Sequence, residues 1–228
     1  MGETDDVLIL GIGNILWADE GFGVRVVETL ARRYRFPSHV RLMDGGTQGI
    51  HLLGPVEAAD VLVIFDAVDF GEPPGTLHWA EDEAVPAFLG RAKMSLHQTG
   101  FQEVLAMARL LGRSPRRQLL VGVQPERLDD YGGSLTPTVK ACIDPAIDKA
   151  LSWLEGLGVR PVAAAGDGDE PTSPIALEPY EAGRPDERVA PRLGDARILS
   201  HPGFRFDPKP LDGAGDLLSV DLGPRRSD

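Results

Sequence analysis

Three carboxylates and one imidazole occupy sequence positions from which they could form one catalytic or metal-binding site. Glu20, Asp44 and Asp66 each follow a short apolar run, and His97 precedes a segment with helical periodicity. Carboxylates that gather at one place repel each other, and a metal ion is the usual source of compensating charge. Two carboxylates and an imidazole with open coordination positions suit Ni, Zn, Mn or Fe, and the residue types do not select among these ions.

The apolar runs have the length and composition of strands that are buried on both faces. They are Val7–Leu10, Val40–Met43, Val61–Phe65 and Leu119–Val123, with a weaker candidate for an edge strand at Leu77–Ala80. Helical segments alternate with them, which predicts an α/β fold with an open, mainly parallel, twisted sheet of about five strands and helices on both faces. Ligands bind such sheets at the carboxyl ends of the strands. We therefore expect Glu20, Asp44 and Asp66 to meet at that edge.

Apolar side chains recur at helical spacing in three segments. These segments are Val24–Tyr34, Phe101–Leu111 and Val139–Leu154. Thr136 and Pro137 have the residue types of an N-cap and a first helical position for the third segment. Thr99 and Gln102 have the spacing of a capping box for the second.

The character of the sequence changes after about Gly158. Ten of the 19 prolines lie beyond residue 160, mixed with glycines and charges of both signs, and hydrophobic periodicity disappears. Such a segment buries too little apolar surface to offset the entropy lost on ordering. We predict a folded domain over residues 1–158 and a low-order, Pro/Gly-rich extension over residues 159–228 that the domain does not need for its stability.

Each candidate residue also has a structural interpretation. Asp44 and Asp66 have the residue type that caps turns at strand ends, and His97 lies in a polar segment. Cys142 lies on or beside the apolar stripe of the third helix, where a packing role is expected. The other histidines have no convergent partners and are interpreted as structural or surface residues. They are His39, His51, His78 and His201.

The glycines at the start of the chain favour a nucleotide-binding loop only in part. Gly11 and Gly13 match the dinucleotide fingerprint, but Leu16 stands at its third glycine position, and Asp19 and Glu20 would repel a pyrophosphate. The sequence also contains no Gly-x-Ser-x-Gly elbow and no His-Glu-x-x-His helix. The spacing by itself indicates an α/β protein with a metal site.

Composition limits the classes of partner and of metal site that this protein is expected to have. A formal net charge of -12 argues against nucleic acid or an anionic membrane surface. The single cysteine excludes an internal disulfide framework and a cysteine-cluster metal site. There is no signal-peptide pattern and no apolar run of the roughly 18 residues that a membrane span needs. We expect a cytoplasmic monomer without nucleic-acid or membrane partners.

Several blocks of the sequence, taken in order, resemble the NiFe-hydrogenase maturation endopeptidases over about residues 6–158. They are Leu10-Gly-Ile-Gly-Asn-Ile-Leu16 with Asp19-Glu20, Asp44-Gly-Gly-Thr-Gln-Gly49, Asp66 after its strand, Ser95-Leu-His97-Gln, Val121-Gly-Val-Gln-Pro-Glu126 and Leu135-Thr-Pro-Thr-Val139. Members of this family bind nickel through Glu or Asp, Asp and His. The resemblance implies that Glu20, Asp66 and His97 are those ligands. It does not cover the extension beyond about Gly158.

The implied activity is one cut that removes the C-terminal extension of the hydrogenase large-subunit precursor after its metal centre is inserted. Glu20, Asp66 and His97 would engage nickel that the cysteines of the precursor already hold. The attacking water could be activated by the metal or by Asp44 as a general base. The alternative is a non-proteolytic, nickel-sensing chaperone that binds the same precursor.

Overall fold

A five-stranded sheet forms the centre of the protein. The computed structural model describes residues 5–90, 96–164 and 175–184, with only the backbone for residues 96–99. The strands of the main sheet are β1 (Val7–Ile12), β3 (Val40–Gly46), β4 (Val61–Ala67), β5 (Leu77–Glu81) and β6 (Arg117–Val123), and a separate pair is formed by β2 (Tyr34–Arg35) and β7 (Val162–Ala163). The order in the main sheet is β3-β1-β4-β6-β5, with all neighbours parallel except the edge strand β5. The predicted mainly parallel sheet and its edge strand are confirmed.

Helices cover both faces of this sheet, as predicted. They are α1 (Phe22–Arg33), α2 (Leu53–Glu57), α3 (Ala84–Leu89), α4 (Leu96–Leu110), α5 (Pro137–Lys140), α6 (Ile143–Gly156) and α7 (Leu177–Gly183), with short 3-10 helices at Ala18–Gly21 and Gly49–Leu52. One core cluster joins the sheet to α1 and α6, and a second joins it to α2, α3 and α4. We call the two sides of the sheet the α1 face and the α4 face. In the described part of the chain, no helix combines the length and apolar character that crossing a membrane requires.

The helix boundaries confirm one predicted cap and correct another. The Thr136 side chain accepts a hydrogen bond from the backbone N–H of Val139, and Pro137 begins α5. The expected single helix is divided into α5 and α6, because Pro145 has no N–H to donate to the carbonyl of Ala141 and its ring would clash there. The capping box at Thr99 is wrong, because α4 already begins three residues earlier.

Two pieces of the predicted low-order extension pack on the domain. The strand β7 pairs antiparallel with β2. At the start of α7, the side chains of Ala176 and Leu177 are buried, and Leu177 belongs to the core cluster of the α1 face. The description of these pieces as low-order is therefore wrong. That the domain does not need them for its stability is a separate prediction, which a shortened chain can test. A short apolar pair is sufficient here because α1 supplies polar partners to the backbone around it. The remainder of the extension, residues 165–174 and 185–228, lies outside the described residues.

Candidate active site at the carboxyl edge of the sheet

The three predicted carboxylates lie at one edge of the sheet, although not on adjacent strands. Glu20 is in the 3-10 helix that follows β1 and contacts β4, and Asp66 is the penultimate residue of β4. Asp44 lies in β3, paired with Gly11 of β1. Because β1 separates β3 from β4, the backbones at Asp44 and Asp66 are two strand spacings apart, or about 9–10 Å.

Strand alternation sends Asp44 and Asp66 to opposite faces. In β4, Phe65 packs on the α1 face and Ile64 on the α4 face, so Asp66 is directed to the α4 face. In β3, a Cβ at Gly45 would meet side chains of the α4 face, so Asp44 is directed to the α1 face. In agreement with this direction, the positive charge of Arg25 on α1 acts to lower the pKa of Asp44. Asp44 is therefore not in a position to share a ligand site directly with Asp66.

His97 is in the first turn of α4, the helix that packs on the face to which Asp66 is directed. Its side chain lies outside the described residues. Among the side chains that the structure does describe, no three from His, Cys, Asp and Glu form a group of metal-binding size. Two of the three expected ligands, Glu20 and Asp66, are thus placed at the same edge, and the convergence of all three stays a prediction.

Glycines allow the Glu20 segment to lie directly on the sheet. A Cβ at Gly13, where φ is 130°, would come within 1.7 Å of the Glu20 carbonyl oxygen. A Cβ at Gly23, in the first turn of α1, would lie 2.1 Å from the carbonyl oxygen of Phe65 in β4. Side chains at either position would push the segment away from β4. The glycine pattern thus brings Glu20 toward the strand that carries Asp66.

Asp19 organises this edge, a role that the sequence analysis missed. Its side chain is fully buried, and Oδ2 accepts hydrogen bonds from the backbone N–H of Glu126 (2.9 Å) and Arg127 (2.8 Å). Its Oδ1 accepts one from the backbone N–H of Thr136 at 2.7 Å, and the Thr136 hydroxyl donates to Oδ2 at 3.1 Å. The carboxylate thereby connects the segment that carries Glu20 to the loop between β6 and α5. Nothing in the sequence marks these partners, because they lie more than 100 residues away.

Desolvation raises the pKa of two of the edge carboxyl groups. Removal of water raises the pKa of the half-buried Glu20 from 4.5 to about 7. The pKa of Asp44 is also raised by desolvation, although the backbone N–H of Gly46 and the charge of Arg25 act in the opposite direction. Both carboxylates would therefore gain from a nearby cation, which favours the charged form.

Exposed apolar side chains lie beside Glu20. Leu16 and Tyr131 are 41% and 38% exposed, and the rings of Trp17 and Tyr131 make an edge-to-face contact with centroids 5.3 Å apart. The backbone joins the same two loops, since the Gly132 N–H donates to the Leu16 carbonyl at 2.7 Å. We call Leu16, Trp17 and Tyr131 the aromatic ridge. Partly exposed apolar and aromatic side chains of this kind are common where proteins contact each other.

Cys142 has the packing role that the sequence predicts. Its thiol is buried in the core of the α1 face and donates to the Gly75 carbonyl at 3.2 Å. Burial raises its pKa, and the charge of Asp19 raises it further. A thiol that resists ionisation is a poor nucleophile.

Comparison with known proteins agrees with this architecture. The family profile described as hydrogenase maturation protease matches residues 24–153. This chain belongs to the hydrogenase maturation protease family. It is an endopeptidase that acts in hydrogenase maturation.

Individual relatives support the assignment of this maturation protease. Hydrogenase expression/formation protein HoxM of Azotobacter vinelandii is 59% identical over 85% of this chain and 94% of its own length. Hydrogenase expression/formation protein HupM of Azotobacter chroococcum is 55% identical over 90% of this chain and 99% of its own. The structure of hydrogenase maturating endopeptidase HybD from Escherichia coli has a TM-score of 0.65 and 44% identity, covering 69% of this chain and 96% of that one.

These matches extend further along the chain than the family resemblance, which the sequence analysis ended at about Gly158. A match that spans 85% of the chain includes residues 175–184 wherever it begins. The Azotobacter relatives therefore share part of the extension. The HybD structure covers 69% of the chain, which is the share that the predicted domain of 158 residues alone would occupy. The family thus includes members with this part of the extension and a member whose match is only as long as the domain.

Proposed function

We propose that this protease removes the C-terminal extension of a NiFe-hydrogenase large-subunit precursor after nickel has been inserted. The observation that carries the proposal is the presence of Glu20 and Asp66 at one sheet edge, in surroundings that partly exclude water. Carboxylates in such surroundings favour a cation as ligand. The nickel ion belongs to the substrate, held by cysteines of the precursor.

Recognition of nickel is assigned to Glu20, Asp66 and His97. Asp66 is 2% exposed, so its carboxylate loses little further water when a cation arrives. Because the pKa of Glu20 is raised to about 7, its carboxyl group would release a proton as the cation binds. His97 would contribute the imidazole from the first turn of α4, on the face to which Asp66 is directed. A precursor without nickel would lack the group that these residues recognise.

Activation of the attacking water is assigned to Asp44. Its side chain is exposed and so accessible to water, and its raised pKa makes its carboxylate a stronger base than that of an ordinary aspartate. Its position on the α1 face separates it from the ligands on the other side of β1. In this arrangement Asp44 would accept the proton of the attacking water, while the substrate nickel, held on the other side of β1, would position the precursor for the cut.

The test is cleavage of purified precursor, prepared with and without nickel and analysed by mass spectrometry. Wild type should cut only the loaded precursor, and Glu20→Gln, Asp66→Asn and His97→Ala should lose both cleavage and affinity for it. Asp44→Asn should bind the loaded precursor normally and leave it intact. Cys142→Ala is the control and should remain active, with circular dichroism to confirm folding.

Three outcomes would contradict the proposal. Cleavage of nickel-free precursor would remove the dependence on nickel. Loss of cleavage by a folded Cys142→Ala, with His97→Ala still active, would indicate a cysteine protease. Binding of loaded precursor by the wild type without any cut would show that nickel insertion does not license the cut in this precursor. The cytoplasmic location and the monomeric state stay predictions.

A further inference from the structure

Residues 175–184, which we call the strap, connect the extension to the loop between β6 and α5. The Tyr180 hydroxyl donates to the Gly133 carbonyl at 3.4 Å. The Ser134 hydroxyl donates to Glu181 Oε1 at 2.8 Å, and Lys140 Nζ lies 2.6 Å from Glu181 Oε2. Two adjacent residues of the strap therefore fix two adjacent residues of the loop and the helix that follows it.

The other side of the strap is anchored on α1. The buried Arg25 guanidinium donates to the Ile175 carbonyl at 2.6 Å and lies 5.3 Å from the centre of the Tyr180 ring. The Leu177 N–H donates to Glu28 Oε1 at 2.9 Å, and the Leu177 side chain is 6% exposed. These contacts attach the strap to a rigid helix of the domain.

The loop that the strap contacts lies against the Glu20 segment. A Cβ at Gly133 would be 3.0 Å from the Cβ of Ala18, and Gly133 forms a β-bridge with Trp17. Ala18 has a φ of 46°, which a residue with a side chain adopts only when its surroundings impose it. The path from the strap to the site therefore has two steps, from the strap to Gly133 and from Gly133 to the segment that ends at Glu20.

We propose that Tyr180 and Glu181 are positioning residues for precursor recognition. By holding the loop at Gly133 and Ser134, they set the arrangement of the aromatic ridge that receives the precursor. The proposal rests on the proposed function. The structure of the endopeptidase HybD matches this chain over a length no greater than that of the domain, so we assign the strap to docking rather than to the chemical step. The strap therefore acts on docking of the precursor and not on cleavage itself.

The test compares variants of the full chain in processing of nickel-loaded precursor. The double variant Tyr180→Phe/Glu181→Ala removes the bonds to the loop but keeps the aromatic ring beside Arg25. We expect its KM and its Kd for the precursor to rise by up to roughly fivefold to tenfold, because the lost bonds can lower the population of the competent loop arrangement by no more than their own free energy. Its kcat should stay within about twofold of the wild-type value, because a change in docking alone leaves the chemical step unaltered.

Two control variants separate positioning from stability. Glu178→Ala removes the exposed ion pair between α7 and Arg32, which does not contact the loop, and should leave KM unchanged. Glu181→Gln keeps an oxygen that accepts from Ser134 and should recover most of the wild-type KM. Amide hydrogen exchange at Arg127 and Thr136 should accelerate in the double variant and not in Glu178→Ala.

Several results would overturn the proposal. A double variant with unchanged KM, Kd and exchange rates but a lower Tm would show that the strap only stabilises the fold. A fall in kcat alone would place its effect on the chemical step. Should wild type bind loaded precursor without cutting it, the proposed function fails, and the Kd and exchange measurements still decide whether the strap controls docking.

Discussion

Asp19 and Glu20 are neighbours with the same functional group, but their surroundings differ, and so do the tasks that we propose for them. Asp19 is surrounded by three backbone N–H groups and a hydroxyl, all of which donate to its carboxylate. Glu20 instead experiences desolvation as the main influence on its pKa. A carboxylate whose oxygens already accept hydrogen bonds from the protein has a structural role. One whose charged form is disfavoured is suited to a cation from outside.

The role of Asp19 predicts a large effect from a nearly isosteric change. Asp19→Asn turns an NH₂ group toward buried N–H donors, so at least one of those donors loses its acceptor. We expect the free energy of unfolding to fall by about 3 kcal/mol, the scale for losing charge-assisted bonds at buried donors. Urea denaturation measures it. Asp148→Asn, an exposed position on α6, is the control and should change little; equal stability of the two variants would contradict the role assigned to Asp19.

The raised pKa of Glu20 predicts a specific dependence of stability on pH. The pKa is about 7 in the folded state and 4.5 without the protein environment, so between these values the folded state holds more protons than the unfolded state. The contribution of Glu20 to stability is therefore fully present below pH 4.5 and is lost as pH rises through about 7. Glu20→Gln lacks this titration.

Melting temperatures from pH 4.5 to 8 test this expectation. The variant Glu20→Gln should gain on wild type as pH rises and should then keep a constant advantage above about pH 8. Two parallel curves of Tm against pH would show that the pKa of Glu20 is ordinary.

At the scale of elements, α1 approaches the sheet closely because its first turn contains a glycine. A Cβ added at Gly23 would lie 2.4 Å from the carbonyl oxygen of Ile12 and 2.1 Å from that of Phe65. Backbone of two strands cannot move aside as a flexible side chain can. The distance between the helix and the sheet is thus fixed by one residue, and so is the position of the Glu20 segment just before it.

The same substitution in two helices should therefore have opposite effects. Gly23→Ala should lower the free energy of unfolding by about 2–3 kcal/mol through overpacking, although alanine is the better helix former. Gly54 is likewise the second residue of its helix, α2, and a Cβ there would meet no atom within 4 Å. Gly54→Ala should be neutral or stabilise by up to about 1 kcal/mol. Chemical denaturation of both variants measures the contrast, and a stable Gly23→Ala would refute the close packing.

The elements that sequence predicts well are those whose signal is local. The strands β1, β4 and β6 are recognisable because both of their faces are buried, which produces continuous apolar runs. The run that predicts β3 is mostly apolar, although β3 is an edge strand with exposed side chains at Arg41 and Asp44. From their order along the chain, topology places Glu20, Asp44 and Asp66 at one edge. The face to which each side chain is directed depends on the exact strand position, so the separation of Asp44 from Asp66 was not predictable.

The strap is the element that sequence cannot predict. Its apolar run, Ile175-Ala-Leu177, is only three residues long, and its other contacts are hydrogen bonds, ion pairs and a cation–ring contact with residues far away in sequence. Arg25 and Ile175 are 150 positions apart. Composition identifies segments that cannot form a core alone. It does not show that such a segment can pack against a core that the rest of the chain has formed.

At the scale of the whole molecule, the free energy of unfolding decides whether the strap belongs to the domain or to the extension. The strap buries Leu177 and supplies the carbonyl of Ile175 to the buried Arg25. Removal of the strap would expose an apolar surface on α1 and leave the guanidinium with fewer partners. A domain of 158 residues is therefore expected to be less stable than the chain that includes residues 175–184.

Two shortened chains test this expectation, one ending at residue 184 and one at residue 164. Both lack residues 185–228, so the difference between them isolates the segment that contains the strap. Loss of the Leu177 contact and of the Arg25 hydrogen bond should reduce stability by about 3 kcal/mol. For a protein of this size, that is a fall in Tm of roughly 6–12 °C. Leu177→Ala in the full chain should reproduce about two thirds of the effect. Equal melting of the two shortened chains would restore the original prediction of a dispensable extension, since it would mean that the ordering entropy of the strap cancels everything that its burial contributes.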